Sequence, residues 1–410
     1  MIHIYTLTSP LHDEHAVAAV TKEFLGSLGL SYELRGADYA DYGKNPAALS
    51  LLYVRTGGTE GVFRQLLSQL LAQSKQPFYL LTSGKSNSLA ASMEILSFLR
   101  QQGLEGEILH GSSEYVRHRV EVLEKVAQAR HWLHGKRVGV IGEPSDWLIA
   151  SQVNPDRVKE RLGVEIVKIP MKELTDAFET VLVADVASDA GKYESQVAPL
   201  NEADAPSVKR SLSDALRLYV AMKELVARHE LQGLTIRCFD LLTSIRNTGC
   251  MALARLNSEG YVAGCEGDVP AMLSMLIARS VLGVSGFQAN PSHIDPPFGE
   301  VLFAHCTIPF QMTKRFELDT HFESGIGVGI RGYVDEGPVT VFKVSGALDR
   351  HFIAEGVLTA CQAEGDLCRT QQVVRLLDAS QAQYFLTCPI GNHHIILPGH
   401  LKEVLAAMLS

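Results

Sequence analysis

Nowhere in the 410 residues does an apolar run approach the roughly 18 residues that a membrane-spanning helix needs, so no membrane partner is expected. Lysine and arginine never gather into a basic run, which removes the electrostatic footprint of a nucleic-acid-binding chain. The net charge of −9 is spread along the sequence and mainly aids solubility. Cysteine is sparse: Cys238, Cys250, Cys265, Cys306, Cys361, Cys368 and Cys388. Their number is odd and no C-x-x-C occurs, which argues against a disulfide framework or a thiolate zinc cluster. A reducing, cytoplasmic compartment fits, with the thiols acting as small buried hydrophobes. The opening MIHIYTLTSP has no basic leader and reads as a first strand, not a signal peptide. Several motifs are missing too. Gly84-Lys85-Ser86 lacks the upstream glycine of a phosphate-binding P-loop, and no G-x-G-x-x-G follows the first strand. There is no G-x-S-x-G elbow and no H-E-x-x-H.

What is present is the composition of a well-packed globular protein, 46% apolar and 20% charged, long enough for two or three domains. Apolar runs at 2–7, 31–34, 49–54, 78–81 and 107–109 alternate with helical patterns over 15–28, 61–73 and 89–100. Strand, helix, strand with short turns predicts a parallel sheet covered on both faces. After a helical stretch at 114–133 the alternation restarts, with strands expected at 137–141, 164–169, 234–240, 261–265 and 300–305. From about Pro309 helical periodicity fades and short β-like runs take over, at 328–333, 339–344, 373–377, 384–388 and 395–397, before a helix at 400–409. The expected fold is α/β: two doubly wound Rossmann-like domains, 1–134 and 135–308, then an antiparallel β-barrel-like domain, 309–410.

Two predicted strands of the middle domain finish in carboxylates, Cys238-Phe239-Asp240 and Cys265-Glu266-Gly267-Asp268. As parallel neighbours their carboxyl ends face one crevice, where Asp240 converges with Glu266 or Asp268. Carboxylates held close repel, so they call for a cation or a shared proton. The competing reading is a set of helix N-caps, which Asp fills commonly. His305 follows the strand at 300–305. His321 and Glu323 lie two apart, on one side of an extended segment. The turn Gly391-Asn392-His393-His394 offers an imidazole to a metal held by the carboxylates. Oxygen ligands with one histidine and no thiolate suit Mn²⁺ or Mg²⁺. Asn87 and Trp147 are weaker candidates to line a pocket, and Arg237, Arg246, Lys314 and Arg331 to meet an anionic substituent.

The set Cys238-Phe239-Asp240, Cys265-Glu266-Gly267-Asp268, Ala304-His305-Cys306-Thr307, Gly391-Asn392-His393 and Gly399-His400 resembles the L-fucose isomerase/L-arabinose isomerase superfamily, most closely its shorter fucose-isomerase-like members. The N-terminal turns Thr56-Gly57-Gly58-Thr59-Glu60 and Ser86-Asn87-Ser88 are similar to theirs as well. The resemblance covers nearly the whole chain. It implies a homo-oligomer, trimer or hexamer, with an intersubunit active site and a divalent metal, usually Mn²⁺, on two carboxylates and one histidine. Asp268 matches the second acidic ligand and His393 the histidine, with His394 beside it. Asp240 or Glu266 is the first acidic ligand. The chemistry implied is aldose–ketose isomerisation of a sugar, including a hexose modified at C6, through a cis-enediol. Asp240, Asp268 and Glu266 would move the proton, while His305, His321, Glu323, Asn87 and Trp147 hold the sugar. A non-catalytic sugar-binding protein, or a metal-dependent epimerase or aldolase, remains open.

Overall fold

The computed structural model describes residues 1–74 and 77–410, which divide into two compact units, residues 1–132 with Ser410 and residues 133–409. In the first unit, strands β1 (Ile2–Leu7), β2 (Tyr32–Gly36), β3 (Leu49–Val54), β4 (Phe78–Leu81) and β5 (Gly106–Leu109) form a parallel sheet in the order β2-β1-β3-β4-β5. The three inner strands IHIYTL, LSLLYV and FYLL are buried along their whole length. Uninterrupted apolar runs are what a strand covered on both faces requires. The covering helices are Glu14–Leu28, Glu60–Gln73, Ser88–Gln101 and Ser113–Leu133.

The second unit opens with a second parallel sheet of β6 (Arg137–Ile141), β7 (Glu165–Ile169), β8 (Gly233–Ile236) and β9 (Val262–Gly264), ordered β7-β6-β8-β9. It continues into a closed barrel. The barrel strands are β10 (Phe287–Asp295), β11 (Glu300–His305), β14 (Gly337–Val344), β15 (His351–Gln362), β16 (Thr370–Leu376) and β17 (His394–Pro398), in the order β10-β11-β16-β15-β14-β17. A separate ribbon pairs β12 (Arg315–Asp319) with β13 (Gly329–Tyr333). The fold is therefore mixed α/β with two Rossmann-like sheets and an antiparallel barrel toward the C-terminus.

Several elements differ from expectation. The strand at 300–305 is not a third parallel strand of the middle sheet but an antiparallel partner of β10 and β16 in the barrel. Only residues 296–299 separate it from β10, and a parallel neighbour needs a crossover of a dozen residues or more. The run expected as a strand at 384–388 is the short helix Gln383–Thr387. It packs Phe385 against Phe303 and Phe352, so aromatic content there served helix-to-barrel packing. The strands β10, β12 and β15 went unpredicted.

One helix ties the two halves of the second unit together. Val269–Leu282 is buried over its first ten residues, Val269 to Ala278, with no polar face. It packs on β8 and β9 on one side and on β14 and β17 on the other. A helix that is apolar all round belongs between two layers. Truncating a buried residue such as Met272 to alanine costs about 2–5 kcal/mol. Among the described residues no helix is long and apolar enough to cross a membrane.

Candidate active site

The site begins at the carboxyl ends of β8 and β9, the edge where open parallel sheets bind ligands. Glu266 lies two residues past β9 and stands in the left-handed region at φ +64°, followed by Gly267 at φ +70°. A non-glycine residue there is strained, and such strain gathers at functional turns. Gly267 is required twice over. A Cβ on it would lie 2.8 Å from Pro144 Cα and 2.9 Å from the Glu143 carbonyl oxygen. The turn is locked by Ser145 N–H donating to the Glu266 carbonyl at 3.0 Å and by Gly267 N–H donating to the Ile236 carbonyl at 2.8 Å. The locked turn sets the direction in which the Glu266 side chain leaves the backbone.

Two residues on, Asp268 closes the helix Val269–Leu282 as its N-cap, Oδ1 accepting from Ala271 N–H at 2.8 Å. Its other oxygen accepts from His393 Nδ1 at 2.8 Å. Both readings of Asp268 thus hold at once: it is a cap, and it faces the site. Its two oxygens are committed, however, so it stands behind His393 as its hydrogen-bond partner. Burial alone would raise the Asp268 pKa, but Lys343 and His393 bring it down to about 2, leaving a carboxylate that accepts.

The barrel delivers the imidazoles. His305 ends β11, and its Nδ1 lies 2.9 Å from Thr307 Oγ1. His393 precedes β17. Its ring sits 5.3 Å from that of His305. Nε2 of His393 is 3.4 Å, and Nε2 of His305 3.6 Å, from Glu266 Oε1. Among the described residues these three, Glu266, His305 and His393, form the group able to hold a metal ion, with ligand atoms within 4.8 Å of one another. The fit is supported by an unpartnered atom. His393 Nε2 is buried with no hydrogen-bond partner among the described residues, while Nδ1 is satisfied by Asp268. Ligating histidines are held in this way, one nitrogen to a carboxylate and the other to the metal. Burial would lower the His393 pKa, but Glu266 and Asp268 raise it to about 9. Burial would likewise raise that of Glu266, and the two imidazoles hold it well below the usual carboxylate range.

His394 is a different residue altogether. Successive side chains along a strand point to opposite faces. Its Nδ1 meets the Asn392 carbonyl at 3.1 Å, its Nε2 meets the Tyr384 hydroxyl at 3.0 Å, and it packs among Phe352, Tyr384 and Phe385. Burial, with the Lys343 charge second, takes its pKa down to about 3, so it is a neutral packing residue.

The other residues named from sequence lie outside this cluster. Trp147, half-exposed, donates its indole N–H to Glu266 Oε2 at 2.6 Å. Its ring meets Phe239 edge-on at 4.8 Å, and Phe239 meets His321 at 5.8 Å. His321 is buried and bonded to Ser324 Oγ at 3.0 Å; burial lowers its pKa against the opposing charges of Glu323 and Glu266. Glu323 is exposed beside it. Asp240 starts the helix Asp240–Ser244 with its side chain 43% exposed, paired at 3.0 Å with Arg237, which also grips Asp146. The structure does not bring Asp240 into the three-residue cluster. Asn87 belongs to the first unit, exposed, at φ +59° on the turn before Ser88–Gln101. Of the four basic residues, Arg237, Lys314 and Arg331 have acidic partners, and Arg246 has none among the described residues. Lys343 was missed from sequence altogether. It is buried on β14 with Nζ 3.4 Å from Asp268 Oδ2, and a lone lysine in an apolar strand run gave no signal.

Residues 152–282 match the family model of the L-arabinose isomerase central domain, a segment that includes Asp240, Glu266 and Asp268. Among curated proteins, the sulfoquinovose isomerases of Priestia aryabhattai and Priestia megaterium are each 25% identical to this chain over 281 residues, 67% of this chain and 62% of theirs. The sulfoquinovose isomerase of a Clostridium species is 23% identical over 194 residues, 47% of this chain and 42% of its own. The match spans less than two thirds of the length of these relatives. Taken with the parallel sheets, the closed barrel and the acidic turn that leads into the buried histidines, these likenesses support an L-arabinose/L-fucose isomerase-like superfamily.

Proposed function

We propose that this chain is a metal-dependent aldose–ketose isomerase acting on a hexose modified at C6, through a cis-enediol. The observation that carries the reading is the buried trio Glu266, His305 and His393, with His393 Nε2 unpartnered and Nδ1 tied to Asp268. Glu266, His305 and His393 would hold the ion, and Asp268 would orient His393 rather than ligate. A divalent cation such as Mn²⁺ would polarise the sugar carbonyl and acidify the neighbouring C–H.

The remaining steps belong to side chains. Glu266, kept anionic by two imidazoles, is a poor proton acceptor. The carboxylate we assign to take the C2 proton and return it to C1 is Asp240, half-exposed beyond the carboxyl end of the adjacent strand and paired with Arg237. Trp147 would hold Glu266 through its indole N–H. His321 and Glu323 would bond sugar hydroxyls, and Asn87 stays a candidate on the sequence alone. Arg246, without an acidic partner among the described residues and held at φ +53° on the loop that follows Asp240, is the cation we assign to an anionic C6 group. Sulfoquinovose is the first sugar to try, because the relatives carry that name. The protein would work in a reducing cytoplasm, where its thiols stay free, as a trimer or hexamer with a shared site.

The test is chelation, reloading with Mn²⁺, and deuterium exchange at C1 and C2 of a sugar panel followed by NMR. Metal-dependent exchange lost in Glu266→Gln is expected. Tight sugar binding without exchange would replace the enzyme by a sugar-binding protein. Arg246→Met should raise KM for the sulfonated sugar about tenfold, the worth of one charge-assisted hydrogen bond, and leave a neutral 6-deoxy sugar unchanged.

A further inference from the structure

Lys343 is a poor structural choice for its place. Its side chain is 1% exposed, and Asp268, its one partner among the described residues, is wholly buried. Lysine is almost never fully buried unless paired, and burying its charge is costly. It has three donors and one acceptor, at the long distance of 3.4 Å. It also sits against the cap of the helix Val269–Leu282, an end whose dipole disfavours cations. A methionine would fill the same space without these penalties. The ammonium group is therefore present for its charge.

The geometry shows what that charge holds. Lys343 Nζ and His393 Nδ1 meet the same oxygen, Asp268 Oδ2, while Ala271 N–H takes Oδ1. Gripped from three sides, the carboxylate cannot swing toward the cluster. It keeps its place as acceptor for His393, whose ring is then fixed with Nε2 toward Glu266 and His305. We propose that Lys343 is a positioning residue: acting through Asp268, it sets the orientation of His393 at the metal site. This rests on the metal reading given above.

The test is a double-mutant cycle on Co²⁺ binding to the full chain, followed by calorimetry and by the visible ligand-field bands. Lys343→Met should weaken Co²⁺ at least tenfold and shift the bands, as loss of an outer partner of a metal ligand does. In an Asp268→Asn background the same change should add nothing. Unaltered affinity and bands in Lys343→Met, or an equal loss in the Asp268→Asn background, would overturn the proposal. If Lys343→Met does not fold, the doubly substituted protein, which leaves neither charge unpaired, is compared with Asp268→Asn alone; any difference between them overturns the role through Asp268. A metal-free arm separates this from the function itself. The His393 Nδ1–H resonance, assigned with His393→Gln, should be slowly exchanging in the native protein and lost in Lys343→Met. If the native protein binds no divalent ion, the isomerase reading falls, and this resonance still decides: lost in the variant it supports the positioning role, retained it refutes it.

Discussion

The two parallel sheets of this chain are built alike and end differently. The five-stranded sheet of the first unit finishes in small polar turns, Thr56-Gly57-Gly58-Thr59 and Ser83-Gly84-Lys85-Ser86-Asn87, which bond mainly to one another; Gly57 N–H donates to the Ser86 carbonyl at 2.7 Å. The four-stranded sheet of the second unit finishes in Asp240 and Glu266-Gly267-Asp268, and the barrel that follows in the same unit answers with His305 and His393. Both turn regions place non-glycine residues at positive φ, Ser86 and Asn87 in one and Glu266 in the other. Shared architecture provides a crevice and strained turns. Ligand chemistry appears where a second layer supplies groups of complementary type, as imidazoles do for a carboxylate.

The largest expected effect lies at the centre of that difference. Glu266→Gln should weaken Mn²⁺ binding by more than about 100-fold, beyond the range for outer partners, and abolish sugar exchange; calorimetry and NMR report both. Retained metal binding would mean that the second sheet is no more a metal site than the first.

A paired glycine comparison comes next. Gly267→Ala meets backbone atoms of Pro144 and Glu143, whereas Gly84→Ala, at φ +77°, meets only the His110 ring, at 2.8 Å. Each should lose about 1–2 kcal/mol in urea unfolding from the left-handed backbone, with a further loss for Gly267→Ala. Only Gly267→Ala should also weaken Mn²⁺ binding, because it displaces Glu266. An equal metal defect in Gly84→Ala would erase the distinction between the turns.

Trp147→Phe keeps an aromatic ring against Phe239 and removes the N–H that holds Glu266 Oε2. It should lower kcat about tenfold, consistent with one hydrogen bond to a charged group, with the melting temperature almost unchanged. Unchanged kcat would leave Trp147 as wall only.

The smallest effect is expected in the first unit. Asn87→Gly preserves the left-handed turn while deleting the amide, so its stability should move by a few tenths of a kcal/mol. A KM rise of a few-fold with kcat intact would bring Asn87 into sugar binding; no kinetic change would leave it as turn chemistry.

Local patterning carried much of this fold. The inner strands at 2–7, 49–54 and 78–81, the strand at 137–141 and the acidic turn at 266–268 were legible because an apolar run with a polar glycine turn encodes its own local structure. Spacing also brought His393 and its neighbour into view, as residues on a turn before a strand. Partner choice was not legible in the same way. Strand 300–305 was correct as a strand and belonged to another sheet, since an apolar run does not specify its neighbours. His393 and His394 are chemically identical side by side. Only the closing of the barrel turned one toward Asp268 and the other among Phe352, Tyr384 and Phe385. Asp268 reads as a cap from sequence, and its second oxygen acquires meaning only when β14 and β17 arrive beside it with Lys343 and His393. The sequence by itself determined most of the inner strands, the absence of long apolar spans and the residue types available for chemistry, because these depend on neighbours along the chain. The tertiary structure decided which carboxylate faces an imidazole and which lysine is buried, because those contacts join positions 75 and 125 residues apart.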